Sequence, residues 1–394
     1  MLTRRSLLQL SSALALAFGA PAFASVTPTT DDAQAVLATT KLSIPGVWPV
    51  QFTDCAGRQV QLSRAPKRII VGNYLANFLL TGGASALQHV VGLTLDHWQD
   101  TRQGEYAVFT KAFPDLLKLP SVGGYHDDIL NTERILSLKP EVLLIGKTQF
   151  EANNARIALL ERAGIRVIVL DYHAMTLENH IRSTRILGRL LECDDVAEAL
   201  VSAAANGLAE IDRRIATLPE AQRNTPCYME LGSLGPAQQG NTYNGTVLWG
   251  AILRRIGAAS IADGRREPWG PLTREFVVAK RPEVIIIGGS LWGNNHGDQM
   301  TMGFTVPRDL ARTRLTAFRD RALWKNLPAI KNNRIYAVDH GSLRTIVDWH
   351  FTAFLAKVFY PETFADMDPE KSFLDAWRER LPEVDPQGTF MLNL

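Results

Sequence analysis

Cysteine is scarce in this chain: Cys55, Cys193 and Cys227 are the only three among 394 residues. They are far apart and form no Cys-x-x-Cys pair or Cys/His cluster, which excludes a structural zinc of the usual ligand spacing. One disulfide fits an oxidising compartment, but its pairing is not readable from spacing. A charge excess is also missing, with 42 Lys+Arg against 40 Asp+Glu, so nothing indicates nucleic acid as a partner. The Gly-x-Ser-x-Gly elbow, the His-Glu-x-x-His helix and a phosphate loop ending in Lys-Ser/Thr are all absent, and with them the common sequence signatures of an enzyme. Beyond the first two dozen residues no run is apolar enough to cross a membrane.

What is present begins with an export pattern. Arg4 and Arg5 precede an apolar run from Leu7 to Phe18, and Ala22-Phe23-Ala24 supplies the small residues of a cleavage site. Thr3-Arg4-Arg5-Ser6-Leu7-Leu8 resembles a twin-arginine signal; an ordinary secretion signal is the alternative. Ser25 follows the expected cut, so that site offers no thiol for a lipid, and a periplasmic protein is expected. Residues 25–49 carry little periodicity and read as a linker.

The organising stretch is Glu192–Leu218. Val196, Leu200, Val201, Ala204, Leu208, Ile211, Ile215 and Leu218 recur at steps of three and four, the stripe of one long helix. Asp194 and Asp195 sit where its dipole favours negative charge. On both sides the chain alternates short, wholly apolar strands with helices. Val50–Leu62 reads as a hairpin turning at Cys55-Ala56-Gly57. Strands follow at Arg68–Gly72, Val90–Leu95, Glu141–Gly146 and Arg166–Asp171, with helices at Asn131–Leu138 and Glu151–Ala163. The second half repeats the theme at Pro226–Leu231, Arg281–Gly288 and Asn333–Val338, with a helix from Thr246 to Ile256 and amphipathic helices closing the chain. Lys139-Pro-Glu-Val-Leu-Leu-Ile-Gly146 and Arg281-Pro-Glu-Val-Ile-Ile-Ile-Gly288 are one motif used once per half. The expected fold is α/β: two Rossmann-like lobes with mainly parallel sheets, residues 50–190 and 220–394, joined by one long helix over 191–219. Ligands of such sheets sit beyond the carboxyl ends of the strands.

Four motifs carry a family resemblance: Asp54-Cys-Ala-Gly-Arg58 with Ala65–Val71; Val122-Gly-Gly124 with Asn131–Val142; Trp249–Leu253 through Gly257–Asp263; and Leu272–Val284. Together they are similar to the periplasmic substrate-binding proteins of ABC importers for iron–siderophore, haem and vitamin B12. The resemblance covers about residues 50–360. It implies a ligand cleft between the lobes and a monomer that delivers a small-molecule metal chelate to an inner-membrane permease. It implies no prosthetic group and no catalysis. It also implies that acidic residues at Glu133 and Glu275, one per lobe on the opening turn of matched helices, dock onto permease arginines; a helix N-terminal carboxylate is the plain alternative. The loops Gly232–Gly245 and Gly293–Phe304 depart from the pattern.

Cleft candidates are groups at strand ends. The first half offers Tyr74, His97, Trp98, Tyr125, His126, Lys147, Tyr172 and His173; the second offers Tyr243, Arg265, Arg266, Trp269, Trp292, His296, Asp339 and Arg344. Imidazole and phenolate are ligands for ferric iron, which singles out Tyr125 and His126 after a Gly-Gly pair as metal ligands; a plain loop is the alternative. Arginines can neutralise an anionic chelate, and tryptophans can wall an apolar one. His296 with Met300 and Met302 reads as a flexible apolar lid, or as a soft-metal cluster. The leading expectation is capture of a ferric siderophore. Haem, a corrinoid or another metal chelate stays open within the class; a periplasmic metal sensor or chaperone, or a metalloenzyme on a similar scaffold, stays open outside it.

Overall fold

The computed structural model describes residues 33–40, 47–124, 129–293 and 297–394. The export segment, Tyr125, His126 and His296 lie outside the described residues. Val142–Gly146 and Val284–Gly289 are buried at every position and form the interior strands of two sheets. A strand buried on both faces needs helices above and below it, as a parallel sheet provides. The first sheet runs Val90–Leu93, Ile69–Val71, Val142–Gly146, Arg166–Leu170, all parallel. The second runs Met391–Asn393, Ile335–Asp339, Val284–Gly289, Pro226–Leu231, Ala259–Ser260; only its first pair is antiparallel. The hairpin pairs Val50 with Leu62. Its turn is held by the Asp54 carboxylate, which accepts from the Ala56 and Arg58 N–H groups.

The Pro-Glu-Val repeat marks matched helix–strand units. Asn131 and Thr273 cap the helices Thr132–Leu138 and Arg274–Lys280 by accepting from backbone N–H groups within the first turn. Each helix ends on a left-handed residue, Lys139 (φ 47°) and Arg281 (φ 48°), directly before its proline. The proline cannot continue the helix, and the chain turns into the central strand of its lobe.

The helix Asp194–Ala216 joins the lobes. It buries Leu200, Val201, Ala204, Leu208, Ile211 and Ile215, the stripe expected from spacing. Gly207 lies at its middle because Trp349 packs there: a Cβ on Gly207 would lie 2.4 Å from the indole.

Four expectations are corrected. The segment read as linker contains a helix, Ala33–Thr39, laid on the long helix. Gln34 donates to Asn206, and the buried Arg185 donates to Leu37 O and Thr40 Oγ1. Seven residues are too few for a helix to stand alone, so tertiary partners hold it. The helix expected over Glu151–Ala163 is two, Lys147–Ala152 and Asn154–Arg162, broken where the Asn153 side chain bonds Gln149 O and Leu130 N. The closing helices Trp349–Phe359 and Pro369–Arg380 are followed by the strand Met391–Asn393, which finishes the second sheet. Met300 and Met302 belong to no lid; both are buried with Ile287 in the second lobe. The three cysteines are free thiols.

The lobes also share a core. Phe109 of the first lobe packs against Phe304 and Trp377 of the second at centroid separations of 6.5 and 6.1 Å, and Phe304 meets Phe390 at 5.0 Å. Such pairs contribute about 0.5–1.5 kcal/mol each beyond area burial. Gly104 permits the approach, since a Cβ there would lie 2.7 Å from Phe304 O. Backbone bonds close the seam: Gln103 N–H to Leu291 O at 3.0 Å and Gly293 N–H to Asp100 O at 2.8 Å.

Candidate ligand-binding site

Strand ends of both lobes face each other beside this seam. Ile69–Val71 runs into Tyr74, buried and left-handed at φ 61°. Arg166–Leu170 runs into Asp171, whose Oδ1 accepts from His173 N–H and orients that residue toward Tyr74. Tyr74 Oη and His173 Nδ1 are 2.7 Å apart. Burial, with help from the Asp171 charge, pushes the Tyr74 phenol well above its usual range. Burial, then the charges of Arg344 and Arg102, lowers His173 to about 3. Both shifts favour the neutral forms at physiological pH, so a single proton links the phenol oxygen and Nδ1, on one atom or the other according to the imidazole tautomer.

From the second lobe, Ile335–Asp339 ends in His340. Its Nδ1 accepts from the Trp249 indole N–H at 3.1 Å, and its ring stacks on Tyr243 at 6.2 Å. Asp339 turns back on its own loop, accepting from Gly341 N–H and from the Ser342 N–H and hydroxyl. Burial raises this carboxyl; those bonds and the Arg102 charge oppose the rise.

Two guanidiniums enter the same space. Arg344 is 7% exposed and Arg102, from the first lobe, 8%. Both bear on His173 and both on the buried Tyr243, whose phenol burial raises and they lower. Arg102 has no ion-pair partner among the described residues, and the one hydrogen bond its side chain makes there is a long one to Thr101 O. Asp339 and Glu105 line a pocket with Arg102 without forming an ion pair with it among the described residues, and the Arg102 guanidinium is suited to a ligand's negative charge. Arg344 adopts φ 70°. A left-handed backbone costs a residue with a Cβ about 1–2 kcal/mol, and this kind of strain gathers at functional sites. Arg102 lines a pocket of ≈ 380 Å³ with Ser290, Leu291, Asp339 and Ser342. A second, ≈ 1000 Å³, lies between the lobes against the long helix and is lined by Met175, His180, Arg254, Asp348 and Trp349 among others.

The structure thus brings Tyr74, Tyr172, His173, Tyr243, Asp339 and Arg344 to the junction, with Tyr172 fully buried behind Tyr74 and bonded to Thr184. Other candidates go elsewhere. Trp98 is a core residue 1% exposed, its indole N–H on Glu105 and its ring against Tyr106 and Phe109; with Tyr74 it lines a small enclosed pocket beside the junction. Arg265 donates to Gly270 O and Pro271 O and so braces its own loop. Trp269 is 60% exposed on the strand paired with Tyr243 and offers no enclosed wall. His97 faces solvent beside Asp100. Trp292 is half-buried next to the Gly293–Asp100 bond. Lys147 and Arg266 are exposed. No group of three or more His, Cys, Asp or Glu side chains is placed to hold a metal ion among the described residues. Sequence reasoning missed Arg102 and His340. His340 follows a strand end directly, so the rule that found Asp339 would have found it. Arg102 carries no such local sign.

Two α/β lobes on one rigid helix, with a polar junction at facing strand ends, define a two-lobed solute-binding protein. The chain belongs to the periplasmic binding protein family, whose model matches residues 92–340. It is a substrate-binding protein of the ABC-importer class, and its relatives include vitamin B12-binding proteins. It is similar to the TroA-like periplasmic binding protein FepB of Veillonella parvula, with TM-score 0.82 and 29% identity over 88% of this chain and 100% of that one. It is 24% identical over 325 residues to the uncharacterized ABC transporter substrate-binding lipoprotein YvrC of Bacillus subtilis (strain 168), covering 81% of this chain and 88% of that one. It is 30% identical over 228 residues to the vitamin B12-binding protein of Pectobacterium carotovorum subsp. carotovorum (strain PC1), covering 55% of this chain and 77% of that one.

Proposed function

We propose that this protein captures an anionic metal chelate, a ferric siderophore, between its lobes in the periplasm and delivers it to an ABC importer. The observation that carries the reading is the pair Arg102 and Arg344, one from each lobe, buried beside the neutral donors Tyr74, His173 and Tyr243. Charge-assisted bonds from guanidinium to carboxylate or catecholate oxygens are strong and directional. Tyr74 and His173 serve as hydrogen-bonding groups; Tyr125 and His126 remain the proposed metal ligands. Tyr243 belongs to the ligand set, and Trp292 borders it.

Docking falls to Glu133 and Glu275. Each occupies the second position of its helix, exposed, in the matched unit of its lobe. A corrinoid is the second reading, supported by the similarity to a vitamin B12-binding protein. Tryptophan fluorescence titrated with ferric citrate, a ferric trihydroxamate, a ferric tricatecholate, haem and cyanocobalamin separates the readings. One ferric chelate is expected to bind tightest and to lose at least tenfold in affinity in R102A. Tight cyanocobalamin binding that R102A leaves unchanged overturns the siderophore reading in favour of the corrinoid.

A further inference from the structure

Asn77 lies in the first-lobe helix Leu75–Gly82, 1% exposed, far in sequence from any cleft candidate of the second lobe. Its amide crosses the lobe junction. Nδ2 donates to Arg344 O at 2.9 Å, and Oδ1 accepts from Ile346 N–H at 2.9 Å. One side chain thus pairs with the backbone of residues 344 and 346 as a neighbouring strand would. Arg344 N–H donates to Asp348 Oδ2 at 2.9 Å. Both backbone polar groups of the left-handed Arg344 are therefore held, its N–H from its own lobe and its carbonyl from the other. With the backbone so held, the guanidinium donates to His340 O at 3.1 Å and faces the Tyr243–His173 space.

We infer that Asn77 is a positioning residue, which from the opposite lobe holds Arg344 in the left-handed conformation that presents its guanidinium to an anionic ligand. The inference rests on the reading of Arg344 as a ligand contact. It makes ligand affinity depend on the register between the lobes, because the donor to Arg344 O and the residue it holds belong to different lobes. An aliphatic residue at position 77 would leave Arg344 O and Ile346 N–H without their partner, and the strained turn would lose one of its two anchors.

The test is a double-mutant cycle on the full chain with N77A, R344A and N77A/R344A, read by fluorescence titration with ferric citrate, the ferric trihydroxamate and the ferric tricatecholate. A residue that acts through Arg344 gives coupled losses. N77A is expected to weaken the best-bound chelate at least tenfold, and the double variant to bind no more weakly than R344A alone. Losses that multiply, or an N77A affinity equal to the parent's, overturn the inference. Should N77A not fold, N77D carries the same comparison, since it keeps an acceptor for Ile346 N–H and loses the donor to Arg344 O. A crystal structure of the folded variant is independent of any ligand: Arg344 still at positive φ with an unmoved guanidinium overturns the positioning role. An R344A variant that binds every chelate as the parent does overturns the ligand reading instead, and the crystal structure then decides the role of Asn77 by itself.

Discussion

Arg321 is the residue whose loss should be felt most in the second lobe. Its side chain is 7% exposed and that of Glu230 0%. The guanidinium grips both carboxylate oxygens, at 2.7 and 2.8 Å, and donates to Pro236 O at 2.8 Å and Gln238 O at 2.7 Å. Glu230 also accepts from Gly240 N–H at 2.9 Å. One ion pair therefore shapes the glycine-rich loop that follows Pro226–Leu231, and the arginine lies over the Trp324 and Phe318 rings at 4.4 and 4.8 Å. R321A strands a buried carboxylate, which costs about 3–5 kcal/mol. Replacing both partners of an ordinary buried pair with apolar residues is often neutral. Here the E230M/R321M double variant would still leave Pro236 O, Gln238 O and Gly240 N–H without these partners, at roughly 1–3 kcal/mol for each one that water does not reach. Urea unfolding followed by circular dichroism and tryptophan fluorescence should place R321A lowest, the double variant between it and the parent, and the parent highest. A loss below about 1 kcal/mol in R321A, or a double variant as stable as the parent, would refute the reasoning.

Replacing Glu133 and Glu275 together by alanine should change stability by no more than about 1 kcal/mol, since exposed carboxylates contribute little. Ligand affinity should hold while uptake and ligand-stimulated ATPase activity in a reconstituted transporter are lost; normal transport by the double variant sinks the docking assignment. Charge reversal to lysine should be worse, because like charges would then face the permease arginines. His350 is lowered to about 4 by burial, against the opposing effect of its bond to Val347 O. Between pH 6.5 and 4 the unfolded chain binds a proton that the folded chain does not. Its contribution to stability should therefore fall with pH by about 1.4 kcal/mol per unit. His173, lowered to about 3, acts in the same direction over a wider window. H350Q should flatten the acid limb of stability measured by urea unfolding; an unchanged slope would show that His350 titrates in the folded state.

Much of the architecture was legible in the chain because its causes are local. Val142–Gly146 and Val284–Gly289 announce interior strands by unbroken apolar runs, and the matched Pro-Glu-Val units announce a duplicated layout through proline's effect on the helix before it. The long helix follows from apolar steps of three and four with no proline to interrupt them. The site was legible only as far as strand ends reveal it, in Tyr74, His173, Tyr243 and Arg344. What the sequence could not show depends on partners that only the folded chain brings together. The helix Ala33–Thr39 exists because Arg185 and the long helix hold it. Trp98, a ligand wall by position, is core because Tyr106 and Phe109 pack on its ring at the seam. Asn77 reads as an unremarkable polar residue in a short apolar helix until it meets Arg344, 267 positions away. Periodicity and punctuation act within a few residues and set the lobes. Burial of charge and the strain at a left-handed residue are set by whatever packs against them, and at this junction that is the opposite lobe.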